Sequence, residues 1–515
     1  MQTNQNTSTN LLLQNKKELF HIQLRKEKRE EIFKSKRIIQ KQNETPEHIQ
    51  LNPEQLDQYI TELMKECIDI YRNRLPDDFD KMLNNLKRLR KLQNLDQRGE
   101  AFSLSLFKND FIEYILVLLN EQFDHASQLQ VEGATILANF FGMMDKNSRL
   151  YFSSYLPMLN VLSDVITKNF GRLLISKNAS LVDSCLYALG NAFYDQQILV
   201  QKFKQHFGLK HLLQVSMHLN TVVWVLDTLT GNREFLNKEE LELSLQILDK
   251  QLQSNDVENF IHSLSALRNI SQYQIDAIPM IIGLTSFSKI VEIVSQKQDL
   301  VHLHSTSLEI IFALSTMNDY EQVKRLDNKY NLMEVYVTYL SSYEKEYRLK
   351  SMISLTNLCN LNEIFAIQLS KMPYVIEKII SITIQTEQQQ ILNGVNLIYS
   401  MLQYEKIEMN QNFINNKILS LISRILEYLN NDILISTLKS LWILLQSIEY
   451  YTASLQIPGD DKIKSQVYMM NQLNVHNIQD KLLTLYQNVN NQEVRDWIDE
   501  CVNILEKTQN EIENY

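Results

Sequence analysis

The sequence predicts an all-α protein built from tandem helical repeats. Three observations carry that reading: a length of 515 residues, only 10 Gly and 7 Pro, and one helical pattern that recurs along most of the chain. A chain this long exceeds one ordinary compact core, so it forms several domains or one elongated repeat structure. With so few breakers, tight β-hairpins and phosphate-cradling loops have little to form from, and helix follows helix.

The first element, residues 1–45, is an arm with ten Lys or Arg against five Glu, densest in HIQLRKEKREEIFKSKR (21–37). The chain has a formal charge of −10, and residues 46–515 hold 41 basic against 56 acidic side chains. A basic arm on an acidic body favours docking to another protein or to the chain's own surface, and salt weakens either encounter. Residues 46–54, with two prolines, read as a linker.

Residues 55–508 carry the repeats. One pattern, an apolar run with a polar residue at a fixed place, reads as QVEGATILANFFG (130–142), LVDSCLYALGNAF (181–193), NTVVWVLDTLTGN (220–232) and FIHSLSALRNIS (260–271). It continues as STSLEIIFALS (305–315), RLKSMISLTNLCN (348–360) and ILNGVNLIYSML (391–402), with a weaker copy in ILISTLKSLWILL (433–445). The anchor positions are Asn139, Asn191, Thr228, Asn269, Ala313, Asn357 and Ser400, in steps of 52, 37, 41, 44, 44 and 43 residues. That is the period of armadillo or HEAT solenoids, whose repeats each supply two or three helices and bury a continuous core only when stacked. The long first step implies an insertion near 164–180. Residues 55–120 hold one or two further repeats, 475–508 a terminal cap, and 509–515 a short tail.

Four well-separated cysteines (Cys67, Cys185, Cys359, Cys501) without a CxxC pair argue against a disulfide framework and against zinc. His302 and His304 lack Cys or acidic partners at ligand spacing. The polar start MQTNQNTSTN does not read as a signal peptide, and FIEYILVLL (111–119) is about half the length a membrane span needs. A soluble, intracellular protein is expected. No GxGxxG, P-loop, GxSxG or HExxH occurs, so no enzyme, cofactor or metal is expected.

LYALGNAFYD (186–195) and QVEGATILANFFG (130–142) resemble third helices of armadillo repeats in the importin-α family of nuclear-import adaptors. In that family a Trp typically precedes an Asn by four residues on the third helix. The arm segment QLRKEKREEIFKSKR (23–37) resembles the family's importin-β-binding segment. The resemblance implies a right-handed armadillo superhelix of about 9–10 repeats. It also implies a concave groove for basic nuclear localisation signals and a carrier docked on the arm through Arg25, Lys26, Lys28, Arg29, Lys34, Lys36 and Arg37. An export receptor and nucleoporins are further implied partners, with shuttling between cytoplasm and nucleus and no direct nucleic-acid or membrane contact.

Residues i and i+4 share a helix face, so stacked third helices display rings and carboxamides along the groove. An Asn can both donate to and accept from an extended peptide backbone, and ring slots hold Lys or Arg stems. Carried over by position, the first groove has ring positions Thr135, Tyr187, Trp224 and Ser265 and carboxamide positions Asn139, Asn191, Thr228 and Asn269. Asp195 and Ser148 match groups that contact the key lysine. In the second groove the ring positions are Ile353 and Asn396 and the carboxamide positions Asn357 and Ser400. Glu309 there replaces a family Arg and is expected to make the stretch more acidic. The basic triplet is thinned to KSKR (34–37), so the arm is expected to compete weakly for its own groove. Two readings compete with the groove: Tyr187 and Trp224 as repeat packing, and the carboxamides as a structural ladder between helices.

Overall fold

A computed structural model describes residues 53–73, 78–95, 105–106, 109–120, 126–143, 179–194, 197, 200–201, 203–204, 209–216, 219–233, 236–295, 301–384, 387–428, 430–454 and 459–514. The basic arm with its seven docking residues, the linker up to residue 52, Ser148, Asp195 and residues 164–178 of the expected insertion lie outside the described residues. All regular structure among the described residues is helical, and no single helix there is long and apolar enough to cross a membrane. The chain divides into two units, Met1–Asn232 and Arg233–Tyr515.

The first unit contains α1 (Pro53–Asn73), α2 (Phe79–Leu95), α3 (Phe111–Asn120), α4 (Ala126–Met143), α5 (Ala179–Phe193), α6 (Leu209–Ser216) and α7 (Val222–Gly231). Here α2, α4, α5 and α7 pack each on the next, while α1 and α3 back onto α2 and α4. Their apolar periodicity explains the stacking: Met82, Leu86 and Leu89 of α2 recur at helical spacing and are fully buried.

The second unit opens with α8 (Lys238–Leu252) and α9 (Val257–Tyr273) and continues as helix triplets. These are α10 (Ile278–Ile282), α11 (Phe287–Ser295) and α12 (Val301–Leu314); α13 (Tyr320–Tyr330), α14 (Leu332–Tyr339) and α15 (Lys345–Leu361); α16 (Glu363–Lys371), α17 (Val375–Thr383) and α18 (Gln388–Leu402). Two more follow: α19 (Ile407–Asn415), α20 (Ile418–Ile425) and α21 (Asn431–Ser454); α22 (Gly459–Val475), α23 (Ile478–Asn488) and α24 (Gln492–Glu513). The third helix of each triplet packs on the third helix of the next, which is the armadillo arrangement. The seven anchor residues fall on α4, α5, α7, α9, α12, α15 and α18, one per third helix, and the weaker copy on α21. The terminal helix runs through the 508/509 boundary to Glu513.

Helix starts follow local chemistry. Asn237 and Glu240 form a reciprocal capping box on α8, and Asp256, Asp319, Asn362 and Asn491 cap α9, α13, α16 and α24. The turn from first to second helix recurs in one backbone state. Asn331, Tyr374, Lys417 and Asn477 immediately precede α14, α17, α20 and α23, all with φ between 52° and 66°. Asn tolerates that left-handed conformation, whereas a side chain branching from Tyr or Lys crowds its own carbonyl.

Tyr374 is 81% exposed, so its ring contributes little packing against the strain. Tyr374→Gly is therefore expected to raise stability by about 0.5–1 kcal/mol, as relief of left-handed strain exceeds the added unfolded-state entropy. Urea denaturation of the two proteins checks this; a lower midpoint for the glycine variant would contradict it.

Candidate functional site

Within a unit, an interior third helix packs on the third helices before and after it, and α12, α15, α18 and α21 pack also on the second helix of their own repeat. What stays accessible is one stripe, recurring in steps of three and four residues. On α4 it includes Thr135 and Asn139, on α5 Tyr187 with Tyr194 just past its end, and on α9 Ser265, Arg268 and Gln272. On α15 it passes through Lys350, Ile353 and Asn357, and on α18 through Asn396 and Tyr399 to Gln403 at its C-cap. The expected ring positions lie on this stripe, with Trp224 at its margin at 9% exposure.

The carboxamide positions divide. Asn139 and Asn357 are half-buried on the stripe, whereas Asn191, Thr228, Asn269 and Ser400 are only 2–4% exposed. The reason is helical register. A residue four places on is turned about 40° past the first and one three places on about 60° short of it, so either can stay accessible. In α7, α9 and α18 the packing turns the four-step residue inward and exposes the three-step residues Asp227, Arg268 and Tyr399 instead. The expectation that Asn191, Thr228, Asn269 and Ser400 face an open groove is corrected accordingly.

In the first unit the inward polar groups tie repeats together. Asn191 donates its Nδ2 to the Ala138 carbonyl at 2.8 Å, and Asn232 does the same to the Phe193 carbonyl at 2.7 Å. Thr228 donates within its own helix to Val225. Thr135 meets Ser184 at 3.3 Å, and Thr221 donates to Asp183 at 2.7 Å. Trp224 stacks with Tyr187 and with Tyr194, both at 6.2 Å between ring centroids. Its indole lies over Gly190, where an added Cβ would come within 2.3 Å of Trp224 Cδ1. Only glycine permits that approach. The expected ring slot is thus an aromatic cluster sealing α5 against α7, with Tyr187 and Tyr194 still partly accessible.

The second unit holds the remaining groove positions. Asn269 accepts from its neighbour Arg268 at 2.9 Å and so orients that guanidinium. Glu309 does not stand as a bare acid: Lys350 lies at 3.1 Å, Arg268 at 3.7 Å, and Gln272 donates to it at 2.9 Å. Burial pushes the Glu309 carboxyl up, but Lys350 and Arg268 outweigh it and the net shift is downward. The expected gain in acidity at this stretch is therefore corrected to a neutralised cluster joining α9, α12 and α15. Ile353 is 46% exposed, Asn357 donates to Ser315, and Asn396 accepts from Ser436 at 2.8 Å. Ser400 offers its carbonyl to Gln403.

Among the described residues no group of three or more His, Cys, Asp or Glu has metal-binding geometry, and His304 hydrogen-bonds Tyr339 instead. All four cysteines are free and buried, and burial pushes the Cys185 thiol up to about 12. Such thiols are inert as nucleophiles at neutral pH. Sequence reasoning missed Tyr194, Arg268 and Lys350. Continuing the stripe in both three- and four-residue steps from Tyr187, Ser265 and Ile353 would have reached all three.

No family model matches the chain, and no curated protein matches it in sequence. Among solved structures, an engineered protein is similar over 87% of this chain and 98% of its own, with a TM-score of 0.60 at 13% identity. Designed armadillo repeat proteins also match, one of them in complex with the peptide (KR)4, over 50% of this chain and 98% of that one at 15% identity and a TM-score of 0.40. The likeness to the engineered protein is one of fold. The stacked helix triplets, third helix on third helix, give the chain an armadillo-type α-helical repeat fold.

Gly190→Ala is expected to destabilise the first unit by about 1–3 kcal/mol, because the indole must leave its seat. Denaturation followed by tryptophan fluorescence checks this; an unchanged midpoint would exclude the close approach. The Glu309 cluster gives a pH signature. Its folded-state carboxyl titrates below its unfolded value, so its contribution is present above about pH 4.5 and is lost as pH falls through the depressed folded value. Glu309→Gln should cost about 1–3 kcal/mol near neutrality and converge on the parent in acid. Urea midpoints of both proteins across pH measure this, and a pH-independent gap would refute it.

Proposed function

We propose that this chain is a non-enzymatic adaptor that binds extended protein segments along the accessible stripe of its third helices. The observation that carries this reading is the stripe itself. It repeats at constant register and presents aromatic, amide and charged groups every one or two turns. A stripe of that kind suits an extended partner, whose side chains recur along it. The finer reading is nuclear import. The basic arm would dock an importin-β-type carrier through residues 25–37, and basic nuclear localisation signals would be the cargo. The charge contrast between arm and body supports it, as does the arm's likeness in sequence to a carrier-binding segment.

A second reading, an armadillo scaffold with other ligands, draws support from one observation: the buried Asn191, Thr228 and Asn269 are not placed to read a peptide backbone. A pull-down separates the two. The full chain should retain an importin-β-type carrier, a chain that begins near residue 50 should not, and both should retain a basic peptide. No carrier binding by the full chain would end the import reading, while retained peptide binding would leave the scaffold reading.

A further inference from the structure

The chain has three tryptophans. Trp224 is sealed into repeat packing, whereas the other two stand together in the second unit on the third helices α21 and α24. Trp442 and Trp497 meet edge to face, with centroids 5.7 Å apart and rings 76° to one another. Both are half-buried, and the Trp442 Nε1 has no acceptor among the described residues. One turn before Trp442, Lys439 reaches across to α24. Its ammonium lies 5.4 Å from the Trp497 ring centroid and 3.5 Å from Glu493 Oε1, one turn before Trp497. An aromatic face, a second ring at its edge and a carboxylate form a site for a cationic side chain, and the chain's own lysine fills it.

Register says which way the site faces. Lys439 lies 43 residues after Asn396, itself 43 after Ile353, so Lys439 holds the same stripe position on the next third helix. The site therefore opens on the side that the stripe presents to ligand. The lysine that closes it is weakly held. The Lys439 side chain is 27% exposed and that of Glu493 57%, and an ion pair so exposed to water contributes little.

We propose that Trp442, Trp497 and Glu493 form a pocket for one Lys or Arg side chain of a basic protein segment, with Lys439 as a built-in competitor. The pocket rests on the reading of this chain as a binder of basic segments, and it adds to that reading a defined side-chain pocket on α21 and α24 and a regulator of it. An incoming cation replaces Lys439 on the Trp497 face and takes over Glu493, and the displaced lysine swings into water. Charge is conserved at the site, so exchange needs no uncompensated ion and depends on how many neighbouring contacts the segment makes.

The test uses the full chain and a fluorescent (Lys-Arg)4 peptide, followed by anisotropy at fixed ionic strength. Lys439→Met keeps the aliphatic stem and removes the competitor, so it should bind the peptide roughly fivefold tighter than the parent. Lys406→Met removes the same charge from a surface pair with Glu363 and controls for net charge; it should show no comparable gain. Adding Glu493→Gln to Lys439→Met should abolish the gain without disturbing the fold, since Glu493 is largely solvent-exposed. Equal binding by the parent and Lys439→Met overturns the pocket and leaves the adaptor reading in place. A gain that survives Glu493→Gln, or that Lys406→Met matches, also overturns the pocket alone. Failure of every protein to bind the peptide overturns both.

Discussion

The stack within each unit depends on its interior third helices being buried by third helices on both sides. A single repeat cannot cover its apolar face, so the core exists only as a stack. Burial on both sides leaves one accessible stripe and draws many of the other polar groups into partnerships inside the stack. The partners come from the next repeat. Asn232 reaches the Phe193 carbonyl, Tyr404 the Cys359 carbonyl and Ser354 the Phe312 carbonyl. The Phe193 and Cys359 carbonyls lie in the last turns of α5 and α15, where a helix leaves acceptors without intrahelical donors, while the Phe312 carbonyl of α12 also accepts from Ser315. One contact thus caps the helix before and sets the register of the helix after.

That arrangement determines what the stripe can offer a ligand. In the first unit it offers the partly accessible Tyr187 and Tyr194, because Trp224 is committed to Gly190. In the second unit it offers Arg268, Lys350 and Ile353, with Glu309 already shared between the two cations. Neither stretch is a bare row of rings and amides. Packing has drawn several of the expected recognition groups into holding the stack, and the groups left outside are those one position away in register.

The repeat architecture was legible because burial imprints a period on the sequence: the seven anchors of that period fall one on each of seven third helices. The ring row was legible for the same reason, since Thr135, Tyr187, Ser265, Ile353 and Asn396 lie on the accessible stripe. The direction of each carboxamide was not. Three- and four-residue steps both stay close to one helix face, and the choice between them depends on how closely the next helix approaches, which no single helix encodes. Glu309 illustrates a second limit. Its role depends on Arg268 and Lys350, which are 41 residues away on either side and become neighbours only through stacking.

Electrostatics then divides the tasks of attraction and retention. The acidic excess of residues 46–515 acts over several ångströms and steers a basic partner, but salt at physiological strength screens exposed charges beyond about 8 Å. Carboxylates at the stripe do little of the final holding where they are already paired, as Glu309 is with Lys350 and Arg268 and Glu493 is with Lys439. A ligand that arrives by charge must be retained by replacing one of those internal cations or by packing on rings and exposed aliphatic groups such as Ile353. On the proposed reading, association at this surface would be strongly salt-dependent in its rate, while its lifetime would depend on side chains whose exchange conserves charge. On the same reading a ligand's position would be set by which internal cation is easiest to displace, and Lys439, in an exposed pair, has fewer acidic partners than Lys350 between Glu309 and Glu346.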